Sequence, residues 1–369
     1  MIEIIESHRL VYAFLFNSMV IFSLLTNSLF LRFVHTLGIR KMDADTIIRW
    51  GPQTKPALGG FNFFLIFLFS IAANSMLFDP NQFFLNKEFM GMVLCVTFAF
   101  IIGLADDAYD TRPFLKLSGQ IFCGLILVFS GNSITITPYE YVNYFLTIVW
   151  VVGIMNSINM LDNMDAIATV VSICIMLCCM VVIYHSTTFV GNIHFIILLG
   201  GLAALIGFLW FNWHPSKMYM GDTGSQFIGA LLSVMSIIYL WNYRSVKSEE
   251  MNLLLMTRNI IIVSISFMMT ITDTTVVVLN RLLKKHSPFI GGKDHTTHNL
   301  ARLGYSDRAV AVVFSGMSFI SVIIVSYITG SVIEWTWPHT LLFGGFFLVS
   351  LCSFFLLTHR GQRNGNKSK

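Results

Sequence analysis

Eleven apolar stretches, each close to the roughly 20 residues a helix needs to cross a bilayer, recur along the whole of this sequence. They fall at 10–33, 58–78, 88–105, 114–131, 141–158, 166–184, 193–211, 223–243, 255–280, 308–330 and 338–358. Backbone in lipid must satisfy its own hydrogen bonds, so a chain of this kind folds as packed helices. With 55% hydrophobic and only 11% charged residues in 369, too little polar surface remains for a soluble globule. The expectation is an all-α polytopic membrane protein of about eleven transmembrane helices. It forms one domain over 1–358, followed by a basic tail at 359–369. The first stretch is long and lacks a small-residue cleavage site, so it reads as a retained helix rather than a signal peptide.

The six cysteines, Cys95, Cys123, Cys174, Cys178, Cys179 and Cys352, all fall inside these stretches with no CxxC, and they read as small core hydrophobes. Lysine and arginine set the orientation, because cytoplasmic loops carry their excess. The loops at 34–57, 106–113, 159–165, 212–222 and 281–307, the tail and the boundary residues Arg32, Lys116 and Arg308 hold 18 of the 23. Arg9, Lys87, Arg244 and Lys247 fall on the other side, with Arg258 near an outer helix end. This distribution places the N-terminus outside and the C-terminus in the cytoplasm.

Four polar clusters interrupt the apolar pattern, all on the expected cytoplasmic side: GLADDAYD (103–110), NSINMLDNMDAIA (156–168), HPSKMYMGDTGSQ (214–226) and SPFIGGKDHTTHNLARLGYSDR (287–308). Asp106, Asp107 and Asp110 are three and four apart, so one more helical turn puts them on one side. Asn159, Asp162 and Asp165 repeat the step of three. Carboxylates this close need a cation among them, and oxygen donors with no nearby thiolate suit a hard ion such as Mg²⁺ completed by phosphates and water. The plain alternative for any single aspartate is a solvated helix end. Lys55, Lys116, Lys217, Lys293 and Arg302 could hold a polyanion, and Gly59–Gly60 and Gly291–Gly292 could bring backbone N–H groups to phosphate oxygens, although a glycine pair is more often a turn. Together these features point to Mg²⁺-assisted phosphoryl chemistry at the membrane surface.

The same residues carry a resemblance. GLADDAYD, NSINMLDNMDAIA, YMGDTGS (219–225) and GGKDHTTHNLARLG (291–304) are similar to the four ordered motifs of the polyprenyl-phosphate N-acetylhexosamine-1-phosphate transferases, and TKPALGG (54–60) resembles that family's glycine-pair segment. The resemblance spans about 54–308 and is closest to the undecaprenyl-phosphate GlcNAc-1-phosphate branch. It implies a ten- or eleven-helix enzyme of the bacterial inner membrane that moves a sugar-1-phosphate from a UDP-sugar to a polyprenyl phosphate at the cytoplasmic face. UMP is released with Mg²⁺, or Mn²⁺ in its place, and the product starts a lipid-linked surface glycan. Partners are then the UDP-sugar, the lipid and the membrane, with no nucleic acid; a homodimer stays open.

Carried over position by position, the paired aspartates fall on Asp106 and Asp107, the following basic residue on Lys116, and the second motif on Asn159, Asp162 and Asp165. The metal-proximal aspartate falls on Asp222 and the histidine loop on His295 and His298. Lys55, Gly59, Gly60, Asn159, Lys293, Asp294 and Arg302 are the implied substrate contacts; Asp222, with Asp107 or Asp162, is the implied metal set. Asn163 and Ala166 stand where glycines are common, and Thr296 and Thr297 stand where relatives carry a further histidine. The muramyl-pentapeptide branch tends to have three consecutive histidines, so their absence points to a simpler UDP-N-acetylhexosamine, with the UDP-MurNAc-pentapeptide reaction as the alternative. The expected mechanism is in-line attack by the lipid phosphate, with Asp106 orienting or deprotonating it and Lys116 and His295 balancing charge. Prior attack by an aspartate to form an acyl-phosphate is the other route.

Asp273 lies inside the ninth stretch, where an ionisable side chain is a functional candidate by default; its threonine neighbours could equally satisfy it as a structural acid. His8, His35, His185, His194 and His339 are isolated and carry no assigned role. A transporter would place ionisable groups near the bilayer midplane, whereas this chain keeps nearly all of its acids at one rim.

Overall fold

The computed structural model describes residues 2–33, 55–77, 86–185, 189, 191–244, 252–283, 285 and 295–367, with side chains at 2–8 and 364–367 excepted. Thirteen α-helices run through the described residues: α1 (Ile2–Phe33), α2 (Gly59–Leu77), α3 (Lys87–Tyr109), α4 (Pro113–Ser130), α5 (Glu140–Leu161), α6 (Ile167–His185), α7 (Ile193–Asn212), α8 (Gly221–Ser236), α9 (Leu253–Ser266), α10 (Met268–Leu283), α11 (Thr296–Arg302), α12 (Asp307–Ser331) and α13 (Trp337–Lys367). Ten candidate spans are long and apolar enough to cross a membrane, and α9 with α10 brings the number to eleven if the bent pair is one span. The protein is an all-α, multi-pass membrane protein.

Two expectations need correction. The stretch 255–280 is not one straight helix: α9 and α10 meet at Phe267 with a bend of 82°. The run contains neither glycine nor proline, so hydropathy alone gives no sign of the break. At the bend the Ser266 hydroxyl donates to the Ile262 carbonyl, a side-chain bond of the kind that bends helices, and the buried Phe267 ring packs edge-on against Trp150. The tail is the second case, because α13 continues to Lys367 across the expected boundary at 358/359. There Gly361 lies so close to α11 that a Cβ would stand 2.4 Å from the Asn299 carbonyl oxygen.

Helix α8 is the central pillar, nearly all of its residues being buried, and α2, α3 and α5 pack around it. Small residues set the approach. A Cβ on Gly103 of α3 would meet the Asp222 carbonyl oxygen at 2.4 Å, and one on Gly60 of α2 would meet the Gly224 nitrogen at 2.5 Å. Backbones this close leave no room for a side chain, and the contact brings the end of α3 against the start of α8. The segment before α2 joins in: Ala57 bridges Tyr219 in parallel, with the Tyr219 N–H donating to Pro56 O and the Gly59 N–H to Tyr219 O. The end of α3, the start of α8 and the segment before α2 therefore gather at one end of the bundle.

Candidate active site

The turn between α3 and α4 makes the first part of the site. Asp110 ends α3 in a left-handed conformation (φ 53°), its N–H donating to the Asp106 carbonyl, and Pro113 opens α4. Proline suits a first helical turn because it has no N–H to leave unpaired. The reversal sets Lys116, in the first turn of α4, beside Asp106. Its Nζ donates to Asp106 Oδ2 at 2.8 Å, Asp222 Oδ1 at 2.9 Å and Asn159 Oδ1 at 3.2 Å. The three charged side chains are only 11–16% exposed. Asn159 Nδ2 in turn donates to Asp222 Oδ1 and to Ser225 Oγ, while Thr111 donates its N–H and hydroxyl to Asp106 Oδ1. The cation among the carboxylates is the Lys116 ammonium, which joins α3, α4, α5 and α8 at one point.

Asp107, like Asp162 a candidate to join Asp222 at a metal, binds the start of α8. Oδ1 accepts the Asp222 N–H at 3.0 Å, and Oδ2 accepts the Thr223 N–H at 2.8 Å and the Thr223 hydroxyl at 2.6 Å. A carboxylate there satisfies orphan amides at the start of α8 and faces the positive end of its dipole, so Asp107 caps α8 from a neighbouring helix. Asp106, Asp107 and Asp110 do not share a side, because α3 ends at Tyr109 and Asp110 turns out, exposed. The step of three from Asn159 fails for the same reason. Helix α5 ends at Leu161, leaving Asp162 half-buried at its C-cap.

Asp165 faces a second cluster instead. It accepts from His214 Nδ1 at 3.0 Å, the Ser216 N–H at 3.0 Å and the Ser216 hydroxyl at 2.6 Å. Lys55 Nζ donates to Ser216 Oγ and lies 5.1 Å from the centre of the Tyr219 ring. Burial pushes the Asp165 carboxyl upward, but the Ser216 hydroxyl and amide, Lys55 and His214 together outweigh it and hold the group below the ordinary aspartate value. His214, Ser216, Tyr219 and Ser225 had no assigned role in the sequence. Only their position within or beside the 214–226 motif could have drawn attention to them.

The glycine pair needs a correction as well. Gly59 and Gly60 are buried, the Gly59 N–H is taken by Tyr219 O, and both positions serve the packing of α2 on α8 and its approach. That arrangement offers no phosphate cradle at Gly59. Ala166 adopts φ 67°, the left-handed backbone that glycine takes without strain, and its N–H is fixed by Asn212 Oδ1.

Helix α11 and its N-cap carry the histidines. His295 and His298 are buried, with ring centres 5.9 Å apart. Thr297 Oγ1 donates to Asn163 Oδ1 at 2.8 Å, tying α11 to the turn after α5. Arg302 is exposed and donates to Asn299. Lys293, Asp294 and the Gly291–Gly292 pair lie outside the described residues.

Among the described residues no three of His, Cys, Asp and Glu converge to hold a metal by themselves. Asp222 Oδ1 accepts from the Lys116 ammonium and the Asn159 amide nitrogen, and the other oxygens on that ammonium are Asp106 Oδ2 and Asn159 Oδ1, hard donors of the type that suits Mg²⁺ when a substrate diphosphate completes its shell. Asp107 spends three of its acceptor sites on the start of α8.

Residues 89–240 match the sequence model of glycosyl transferase family 4. The chain is 25% identical over 324 residues, covering 85% of itself and 83% of the relative, to the probable undecaprenyl-phosphate N-acetylglucosaminyl 1-phosphate transferase of Bacillus subtilis. It is 30% identical over 220 residues to the phospho-N-acetylmuramoyl-pentapeptide-transferase of Streptococcus agalactiae serotype Ia, covering 54% of itself and 64% of that relative. With the Borreliella burgdorferi (strain ZS7) protein of the same name it shares 27% over 323 residues, 75% of itself and 85% of the relative. The multi-pass bundle is therefore similar, over these stretches, both to an undecaprenyl-phosphate N-acetylglucosaminyl 1-phosphate transferase and to phospho-N-acetylmuramoyl-pentapeptide-transferases.

Proposed function

We propose that this protein transfers an N-acetylhexosamine-1-phosphate, with UDP-GlcNAc as the first donor to test, from a UDP-sugar to undecaprenyl phosphate, releasing UMP. The site faces the cytoplasm in this reading, as the lysine and arginine distribution suggests. The observation that carries it is the Lys116 centre. A largely buried ammonium held by Asp106, Asp222 and Asn159 provides a preorganised charge for a transferring phosphoryl group. Asp222 is the protein ligand we assign to Mg²⁺, which when bound neutralises diphosphate charge.

The chain's own residues do the rest. Asp106, whose oxygens already accept from Thr111 and Lys116, orients the lysine instead of abstracting a proton. Asp107 and Thr223 lock the start of α8 and so fix Asp222. The Lys55, Tyr219 and Asp165 cluster gives the donor nucleotide a cation and an aromatic face beside that helix. At pH 7 the acceptor is mainly a dianion, since the second ionisation of a phosphate monoester lies near pH 6. Its oxygen can attack the sugar-linked phosphorus directly.

The test is UMP release by the purified protein with Mg²⁺, UDP-GlcNAc and undecaprenyl phosphate. Release that depends on the lipid supports the reading, and none from any UDP-N-acetylhexosamine sinks it. The Streptococcus agalactiae match keeps UDP-MurNAc-pentapeptide as the second donor to assay. Threonines at 296 and 297 argue for the smaller sugar, because Thr297 is already committed to Asn163.

A further inference from the structure

The strongest unexplained feature of the bundle is a buried acid on the second arm of the bent pair. Asp273, in α10, has a side chain only 2% exposed, and its Oδ2 lies 3.0 Å from Nδ1 of His295, itself 8% exposed. Its other oxygen accepts the Thr296 N–H at 2.8 Å, the first amide of α11. A carboxylate can only accept, so the proton in the His295 contact sits on Nδ1. The ring's other nitrogen, Nε2, is then left with a lone pair, and no described residue bonds to it.

This pair is mounted on the same frame as the Lys116 centre. Thr274, next to Asp273, donates to Ser157 Oγ of α5 at 2.9 Å, and Asn159 lies two residues further along that helix. Thr297, two residues after His295, is fixed to Asn163. The far side of α11 is covered by α13 at Gly361. The bend at Phe267 gives α10 its own direction, and the arm after it carries Asp273 to the start of α11. A straight span would have no reason to meet that helix.

We propose that Asp273 is a positioning residue for the transfer: it holds His295 in the Nδ1–H form and fixes the ring so that Nε2 takes the remaining proton of the acceptor phosphate. This rests on the function proposed above. In the step, the P–O–H bond of the acceptor monoanion breaks and its proton passes to Nε2. The freed oxygen pair attacks the sugar-linked phosphorus, and the bond from that phosphorus to the UMP oxygen breaks. UMP leaves with the bonding electrons, and the imidazolium returns its proton to water. A phosphate monoanion gives up its last proton near pH 6, which a neutral imidazole nitrogen can accept. Asp273 from α10 and His298 from α11 are the titratable groups in described contact with the ring or its helix partner position. Helix α11 meets the turn after α5 at Asn163 and α13 at Gly361, and the titratable and charged groups α13 carries beside that glycine, His359, Arg360 and Arg363, are exposed.

The experiment uses Asp273→Asn, which keeps an oxygen for the Thr296 amide but presents an NH₂ to Nδ1, forcing the proton onto Nε2. We expect the loss in kcat to be about fourfold larger near pH 5.5, where about a quarter of the acceptor is the dianion, than near pH 8.5, where nearly all of it is. KM for the UDP-sugar should stay within about threefold, and adding Asp273→Asn to His295→Gln should cost nothing more, because the acid acts through the ring. Nitrogen-15 NMR of the neutral histidines should show Nδ1–H at His295 in the wild type and Nε2–H in the Asn variant.

A loss equal at every pH, an additive double variant, or the same tautomer in both proteins overturns the proposal. If Asp273→Asn does not fold, the wild-type tautomer and the pH profile of His295→Gln decide, with an Nε2–H wild type or a flat profile counting against it. Absence of UMP release by the wild type is a separate failure, that of the assigned reaction; the tautomer measurement stands independently of it.

Discussion

Lys116→Met removes the ammonium at the centre of the site and leaves its partners in place. Nζ stands 2.8 Å from Asp106 Oδ2 and 2.9 Å from Asp222 Oδ1, so the two oxygens are no more than about 5.7 Å apart. At an effective dielectric near 20, two unit charges at that distance repel by about 3 kcal/mol. This agrees with the roughly 3–5 kcal/mol typical of breaking a buried ion pair from one side. If that energy appears in the transition state, kcat/KM falls by at least about 100-fold, each factor of ten being about 1.4 kcal/mol. The assay is lipid-dependent UMP release, read beside thermal unfolding in detergent so that loss of fold is seen separately. Lys116→Arg restores the charge but not a single point reaching three acceptors, and an intermediate rate is expected. Combining Lys116→Met with Asp106→Asn should recover part of the loss, because it removes one of the repelling charges. A Lys116→Met enzyme within about threefold of wild type would refute the assignment of the ammonium as the centre of the site.

Asp107→Ala should lower stability by about 1–2 kcal/mol through loss of the α8 cap, and a melting temperature unchanged from wild type would show that the cap contributes nothing. Gly103→Ala forces a Cβ to within 2.4 Å of the Asp222 carbonyl oxygen and should destabilise by about 1–3 kcal/mol as overpacking, with activity falling as α8 shifts; normal unfolding and turnover would contradict the close contact. Asp165 is held below the ordinary aspartate value, so its contribution to stability is complete above the unfolded value of about 4 and is lost as pH falls through the lower folded value. The stability difference between wild type and Asp165→Asn should therefore be constant from neutral pH to about 4 and shrink below it, and a difference that grows with acid would reverse the sign.

The membrane architecture was legible because hydropathy acts along the chain: a stretch of some 20 apolar residues has few choices in lipid, whatever its neighbours. The motif residues were legible by type, since aspartate, lysine and histidine clusters at helix ends declare their chemistry without their geometry. What each does to the others belonged to tertiary structure. Spacing of three and four put Asp106, Asp107 and Asp110 on one side, but α3 stops at Tyr109, and the two aspartates kept on the helix meet different partners, Lys116 and the start of α8. The close approach that separates them depends on Gly103, more than one hundred residues from the Asp222 it lets in. Asp273 shows the same limit: its threonine neighbours suggested local satisfaction, whereas its partners are His295 and the Thr296 amide, more than twenty residues away. At the bend that delivers it there, a serine hydroxyl turns back on its own helix and a buried ring packs on Trp150, and neither changes hydropathy. Burial in lipid is a property each segment carries alone, whereas pairing of charges and hydrogen bonds requires two segments in register, and only the packed bundle supplies that register.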